Sequence, residues 1–238
     1  MPIAETFVSI QGEGKLAGVP SWFARVSGCN LRCAWCDTPY ASWRPEGPTR
    51  RVEELVAEAR GSGVRHAVVT GGEPMLFAPV EALCAGLAGA GVHVTIETAG
   101  TIDRPVHADL MSISPTLSNS TPTTERARAL GGPGAEGWAE RHERARINLG
   151  ALQGLIDRYP ERQLKFVVSA DARRDLGEID ALLGRLRGWG PEDVLLMPEG
   201  VAEPAPEHRA EIVRICVERR WRYCPRLHIT VFGNRRGT

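Results

Sequence analysis

The chain has 238 residues, 42% of them hydrophobic, and its 29 basic side chains balance its 29 acidic ones. A net charge of zero provides no global field to recruit nucleic acid or an anionic membrane. No stretch approaches the roughly 18 apolar residues of a membrane span, and the opening "MPIAETFVSIQGEGKLAG" lacks the basic-then-apolar order of a signal peptide. These features describe a cytoplasmic chain with no membrane and no direct nucleic-acid partner, large enough for one sizeable core. Its thiols are then reduced, so clustered cysteines there point to metal binding or catalysis, not to disulfides.

In chain order, short runs rich in Val, Ile and Phe alternate with longer amphipathic ones. Strands are expected at Ser21–Val26, His66–Thr70, Val92–Glu97, Leu110–Ser114, Gln163–Ser169 and Asp193–Pro198. Helices are expected at Val52–Arg60, Pro79–Ala90, Glu140–Arg158, Leu176–Arg187 and Glu207–Arg220; Val52, Leu55, Val56 and Ala59 recur at three- and four-residue spacing. Residues 117–137 are rich in Thr, Ser, Pro and Gly and read as a long loop or insertion. The alternation predicts an α/β fold, parallel strands with right-handed crossovers. Six units fall short of a full eight-fold barrel, which takes about 250 residues, so the expectation is a partial, shortened β/α barrel in one domain spanning residues 1–238. Such folds place chemistry in the loops after the carboxyl ends of their strands.

The loop after the first of these strands reads "SGCNLRCAWC", with Cys29, Cys33 and Cys36 at C-x3-C-x2-C spacing. A structural zinc site wants four closed ligands, and no fourth sits at zinc-like spacing. Cys84 and Cys216 fall in apolar helical patterns as small buried hydrophobes, and Cys224 is also remote in sequence. An iron–sulfur cubane takes one thiolate per iron, so three thiolates leave one iron open to a small molecule. A zinc site completed from a distance, or three incidental thiols, remain the plain alternatives.

The cysteine motif, with Trp35 before its last member, resembles the radical S-adenosylmethionine (SAM) enzymes, and "TGGEP" (Thr70–Pro74) matches their glycine-rich turn after the second strand. Four further stretches resemble one subfamily, the 7-carboxy-7-deazaguanine synthases: "ETFVSIQGEGKLAGVPSWFARVSGCN" (Glu5–Asn30), "CDTPY" (Cys36–Tyr40), "ETAGT" (Glu97–Thr101) with "ISPT" (Ile113–Thr116), and "RLHITVFGNRRGT" (Arg226–Thr238). The resemblance covers nearly the whole chain and is weakest over 121–163.

The resemblance implies a [4Fe-4S] cluster on Cys29, Cys33 and Cys36, SAM on its open iron, and Mg²⁺ on the Thr38 hydroxyl. It places Gly72 and Glu73 at the methionine part of SAM, and Ser114, Pro115, Thr116, Met197, Pro198, Glu199 and Gly200 around its ribose and adenine. It assigns a carboxylated pterin to Ile10, Gln11, Gly12, Glu13, Arg25, Thr70, His228 and the chain terminus at Thr238. The implied reaction is a lyase step of 7-deazapurine (queuosine-type) biosynthesis, with a flavodoxin-like or other electron donor and a homodimer.

The residues suit these roles. Arg25 offers a planar fork for a carboxylate, although a structural ion pair is its plain alternative. Gln11 and Glu13 can read amide-like edges, or simply form a turn. A lone threonine before proline, as at Thr38, is by default a turn residue. Glu97 suits acid–base or hydrogen-bonding work, or a salt bridge within the barrel. Two departures from the pattern stand out: Thr116 where many relatives carry lysine, and Phe232 where tryptophan is often found. A glycyl-radical-enzyme activase of the same superfamily shares the size and the cysteine spacing, but leaves "SIQGEG" and "GNRRGT" without purpose. A non-catalytic iron–sulfur or zinc module leaves the "GGEP" turn without purpose.

Overall fold

A computed structural model describes residues 1–238. One sheet runs in sequence order: β1 (Ile3–Ile10), β2 (Pro20–Val26), β3 (His66–Gly71), β4 (His93–Thr98), β5 (Leu110–Ile113), β6 (Arg162–Val168), β7 (Val194–Pro198) and the two-residue β8 (Arg222–Tyr223). The first strand pairs antiparallel with β2, and every later pairing is parallel. No pairing joins β8 back to β1, so the sheet is an open partial barrel. Because β2 to β8 run the same way, their carboxyl ends share one rim, and the loops leaving that rim meet.

The helices are α1 (Val52–Gly61), α2 (Pro79–Gly89), α3 (Thr124–Gly131), α4 (Trp138–Ala145), α5 (Leu149–Arg158), α6 (Ala172–Leu183), α7 (Pro206–Arg219) and α8 (Leu227–Phe232). The period-2 rule decides what each strand shows to each face. On β6, Leu164, Phe166 and Val168 enter the 38-residue core beneath the helices. Gln163, Lys165 and Val167 alternate with them and face the other way. The concave face is therefore rich in polar groups, with Ser112 from β5 donated a hydrogen bond by Gln163 (2.7 Å). Both Cys84 and Cys216 lie in the apolar core, as expected.

The six expected strands are β2 to β7, within one or two residues at each end. Beside the short β8 and α8, which were not expected, and α6, which lies four residues before the expected Leu176–Arg187, three further features differ from the sequence reading. The antiparallel β1 covers residues read only as a motif, because its half-exposed pattern carries no apolar alternation. The stretch 117–137 is not a structureless loop: Thr123 accepts the Arg126 N–H (3.1 Å) and starts α3 there. The single helix expected over Glu140–Arg158 is two, α4 and α5. Asn148 breaks it by leaving the helical region (φ −118°, ψ 96°) and capping α5 through the Ala151 N–H (3.2 Å).

Candidate active site

The loop leaving β2 carries the three cysteines, and its path is set by the turn after β3. The Gly72 N–H donates to Val26 O (2.9 Å) and the Glu73 N–H to Gly28 O (2.9 Å). A Cβ on Gly72 would stand 2.1 Å from Gly28 O and 2.8 Å from Ala41 O. Gly72 is thus a glycine because the cluster loop passes against its backbone. Glu73 is fully buried. Its carboxylate accepts from the Met75 N–H (3.0 Å), the Thr98 hydroxyl (2.8 Å) and the Ala99 N–H (2.8 Å), stitching the β3 turn to the end of β4. Glu73 therefore braces the turn that carries Gly72 against the end of β4.

A cavity of about 250 Å³ opens on the rim. Cys29, Cys33 and Cys36 all line it, with Thr38 beside them. Burial pushes the Cys29 thiol up to about 12 and raises Cys33 and Cys36 as well. The Leu31 N–H points at Cys29 Sγ (3.3 Å), and Ser42 Oγ lies 3.1 Å from Cys36 Sγ. The remaining cysteines are buried elsewhere, so the loop offers three donors and no fourth. No three His, Cys, Asp or Glu side chains converge on a single-ion position. Three thiols on one loop match the donor set of a cluster with one open iron, in which each thiolate meets a different iron.

Residues of the other strand ends complete the wall. Ser114 and Thr116 line it, on either side of Pro115. Met197, Pro198, Glu199 and Gly200 follow from β7, with Met197 packed near Trp35 of the cluster loop. Ile10, Gln11, Gly12 and Glu13 arrive from β1, Arg25 from β2, Thr70 from β3, and His228 and Thr238 from the last segment. Glu97, from β4, accepts from the Gln11 side-chain amide (3.1 Å) and the Thr70 hydroxyl (2.7 Å). Gly12 is pressed by His228, whose Nδ1 would stand 2.0 Å from a Cβ there.

Arg25 donates through Nε to Glu5 Oε1 (2.7 Å), and the same carboxylate accepts from Tyr40 (2.7 Å) and Arg236 (3.1 Å). The structural ion pair named as the plain alternative for Arg25 is therefore present, at a residue that also lines the cavity.

Three charged residues in this wall were not singled out from the sequence. Lys165 forms an ion pair with Glu13, and Arg226 joins Glu13 (3.2 Å), Asp37 and the Gly200 carbonyl. Burial opposes the Glu13 charge, but Lys165 and Arg226 outweigh it and hold the carboxyl far below the carboxylate range. Burial likewise works against the Lys165 charge, and Glu13 and then Glu97 reverse it, so the ammonium persists. A lysine inside the buried run "QLKFVVS" was the available signal. Asp37 and Arg226 carried none.

The Radical SAM superfamily model matches residues 25–146. A 7-carboxy-7-deazaguanine synthase of Halobacterium salinarum is 44% identical over 242 residues, spanning 98% of this chain and 91% of that one. The chain belongs to the 7-carboxy-7-deazaguanine synthase family of the radical SAM superfamily. A second family member, from Rhodopirellula baltica, is also 44% identical, over 99% of this chain and 88% of its own. Among solved structures, QueE from Escherichia coli matches at a TM-score of 0.66 and 27% identity, covering 94% of this chain and 92% of that one. A structure of TYW1 shares the fold at 13% identity and a TM-score of 0.56, covering 84% of this chain and 72% of its own. Membership implies a [4Fe-4S] cluster and SAM, and the three-thiol donor set facing a cavity fits both. No helix is long and apolar enough to cross a membrane.

Proposed function

We infer that this chain converts 6-carboxy-5,6,7,8-tetrahydropterin to 7-carboxy-7-deazaguanine with loss of ammonia, a step of queuosine-type 7-deazapurine biosynthesis. One observation carries the reading: three cluster thiols and a wall of paired charges, Glu13, Lys165 and Arg226, line the same cavity. Held on Cys29, Cys33 and Cys36, the cluster with SAM would supply hydrogen-atom abstraction chemistry at the carbon bearing the substrate carboxylate.

The protein's own groups bind and orient. Arg25 receives the substrate carboxylate on its terminal nitrogens, since only Nε is committed to Glu5. The Gln11–Glu13 edge, already fixed by the Glu13 N–H to Gln11 Oε1 bond (3.3 Å), reads the pterin amide edge. Glu97, gripped by Gln11 and Thr70, is placed to hydrogen-bond or exchange a proton with the ring, and His228 closes over Gly12. Ser114, Thr116 and the Met197–Gly200 segment bound the SAM side. The Thr38 hydroxyl, a neutral hard donor beside the cysteines, would be the group to hold Mg²⁺, which would supply charge neutralisation for a carboxylated substrate. A flavodoxin-like electron donor and a homodimer rest on the family resemblance alone, and a cytoplasmic setting on the sequence reading. Residues 10–13 and 226–238, which an activase would leave idle, contribute cavity-lining groups, and this favours the synthase over the activase.

The test is anaerobic incubation of the reduced, reconstituted protein with SAM, Mg²⁺ and the carboxytetrahydropterin, with mass analysis of the product. The expected result is 7-carboxy-7-deazaguanine, abolished in a Cys33→Ala protein. SAM cleavage without that product, restored to use only by a glycyl-radical partner protein, overturns the reading.

A further inference from the structure

No step above uses residues 117–146, which comprise α3, α4 and the turns around them. It packs on the cysteine loop. The backbone from Leu31 to Ala34 belongs to no helix or strand, so its polar groups need partners from elsewhere. The segment supplies them. The Arg32 N–H, between Cys29 and Cys33, donates to His142 Nδ1 of α4 (3.1 Å). The Ala34 N–H donates to Ser120 O (2.7 Å), and Ala34 O accepts from Arg126 Nε of α3 (2.9 Å). Trp43, which donates to Cys33 O (3.1 Å), is packed against Ala127 and Ala135. The Arg32 guanidinium lies 4.1 Å from the ring centre of Trp138.

His142 is wholly buried. Its Nε2 lies 2.7 Å from Ser120 Oγ, whose own hydroxyl donates to Leu117 O (2.5 Å). That chain fixes the tautomer: Nε2 carries the proton and Nδ1 keeps a lone pair for Arg32. Burial pushes the ring to about 4, so the lone pair is present across the neutral range.

We propose that residues 118–146 form a clamp on the cluster-binding loop, and that His142 is its positioning residue, holding the backbone between Cys29 and Cys33 through the Arg32 N–H. Three thiolates must be presented at fixed separations to bind one cluster, and a loop without its own ladder cannot hold them there unaided. The same grip sets the Leu31 N–H that points at Cys29 Sγ, and hydrogen bonds to cluster sulfurs tune a cluster's potential. The proposal rests on the cluster assignment but not on the identity of the substrate.

Two variants separate this role from mere packing. His142→Asn keeps an acceptor near the Nδ1 position, whereas His142→Gln can reach Ser120 but leaves the Arg32 N–H without an acceptor. In the metal-free protein, hydrogen exchange at the Arg32 amide should quicken at least tenfold in His142→Gln and stay close to the parent in His142→Asn. After reconstitution, His142→Gln should retain less iron through gel filtration and show an altered electron paramagnetic resonance spectrum of the reduced cluster. Arg126→Ala, a change at the surface of α3, should quicken exchange in 33–36 without a change in melting temperature. Unchanged Arg32 exchange in His142→Gln overturns the proposal. So does an equal loss of iron in both His142 variants that simply tracks their loss of thermal stability. If His142→Gln does not fold, parent-like exchange and iron content in Arg126→Ala overturns the proposal alone.

Discussion

Lys165 and Glu13, 152 residues apart in the chain, meet as an ion pair in the cavity wall. The lysine side chain is only 6% exposed, so its charge depends on that partner. Removing one member of a buried pair costs about 3–5 kcal/mol, whereas replacing both by apolar groups is often neutral. Lys165→Met should therefore lower the melting temperature, and Lys165→Met with Glu13→Leu should recover part of the loss. Arg226 still faces Glu13 in the single variant, which puts its cost at the lower end of that range. A double variant less stable than the sum of the singles would contradict the pairing.

Gly72→Ala is expected to displace the cluster loop. The added methyl would meet Gly28 O and Ala41 O, both backbone atoms that cannot swing aside. Iron content after reconstitution should fall severalfold or more. Gly89→Ala, where a Cβ meets nothing within 4 Å, is the control and should keep parental iron. Full cluster occupancy in the Gly72 variant would contradict the close approach.

Arg25→Ala should weaken carboxytetrahydropterin binding by about tenfold to a hundredfold, because hydrogen bonds to charged groups are worth roughly 1.5–3 kcal/mol. The cluster spectrum should be unchanged. Glu5→Gln separates the two roles of Arg25: it weakens the anchor and leaves the fork, so its affinity loss should be smaller. Equal losses in titrations of the two variants would mean that Arg25 serves only its ion pair.

Acid stability should report a histidine far from the cavity. His66, at the start of β3, is 4% exposed, with Ser21 Oγ 2.6 Å from Nδ1 and Thr95 Oγ1 2.8 Å from Nε2. Burial lowers its pKa from 6.5 to about 4. The unfolded chain then binds a proton that the folded one refuses, so this contribution is full above pH 6.5 and is lost as pH falls towards 4. The loss is on the order of 1–3 kcal/mol. His66→Gln should flatten denaturant-measured stability across that window, and an unaltered slope would exclude His66 as a cause.

What the sequence determined by itself was local. Short runs rich in Val, Ile and Phe between turn residues located β2 to β7, the C-x3-C-x2-C spacing marked the cluster loop, and "TGGEP" marked the turn beneath it. Each depends on a few neighbouring residues, so no distant contact is needed to recognise it. Asn148 could have signalled the break between α4 and α5, but the apolar stripe through Leu149, Leu152 and Ile156 masked it. The tertiary structure alone decided which distant groups meet. Glu73 satisfies the Ala99 N–H and so ties the glycine-rich turn to β4, and Arg226 joins Glu13 to Asp37. His142 comes to rest on Arg32, 110 residues earlier. These pairings arise because parallel strands send their loops to one rim, where buried charges and unladdered backbone must find partners wherever packing brings them.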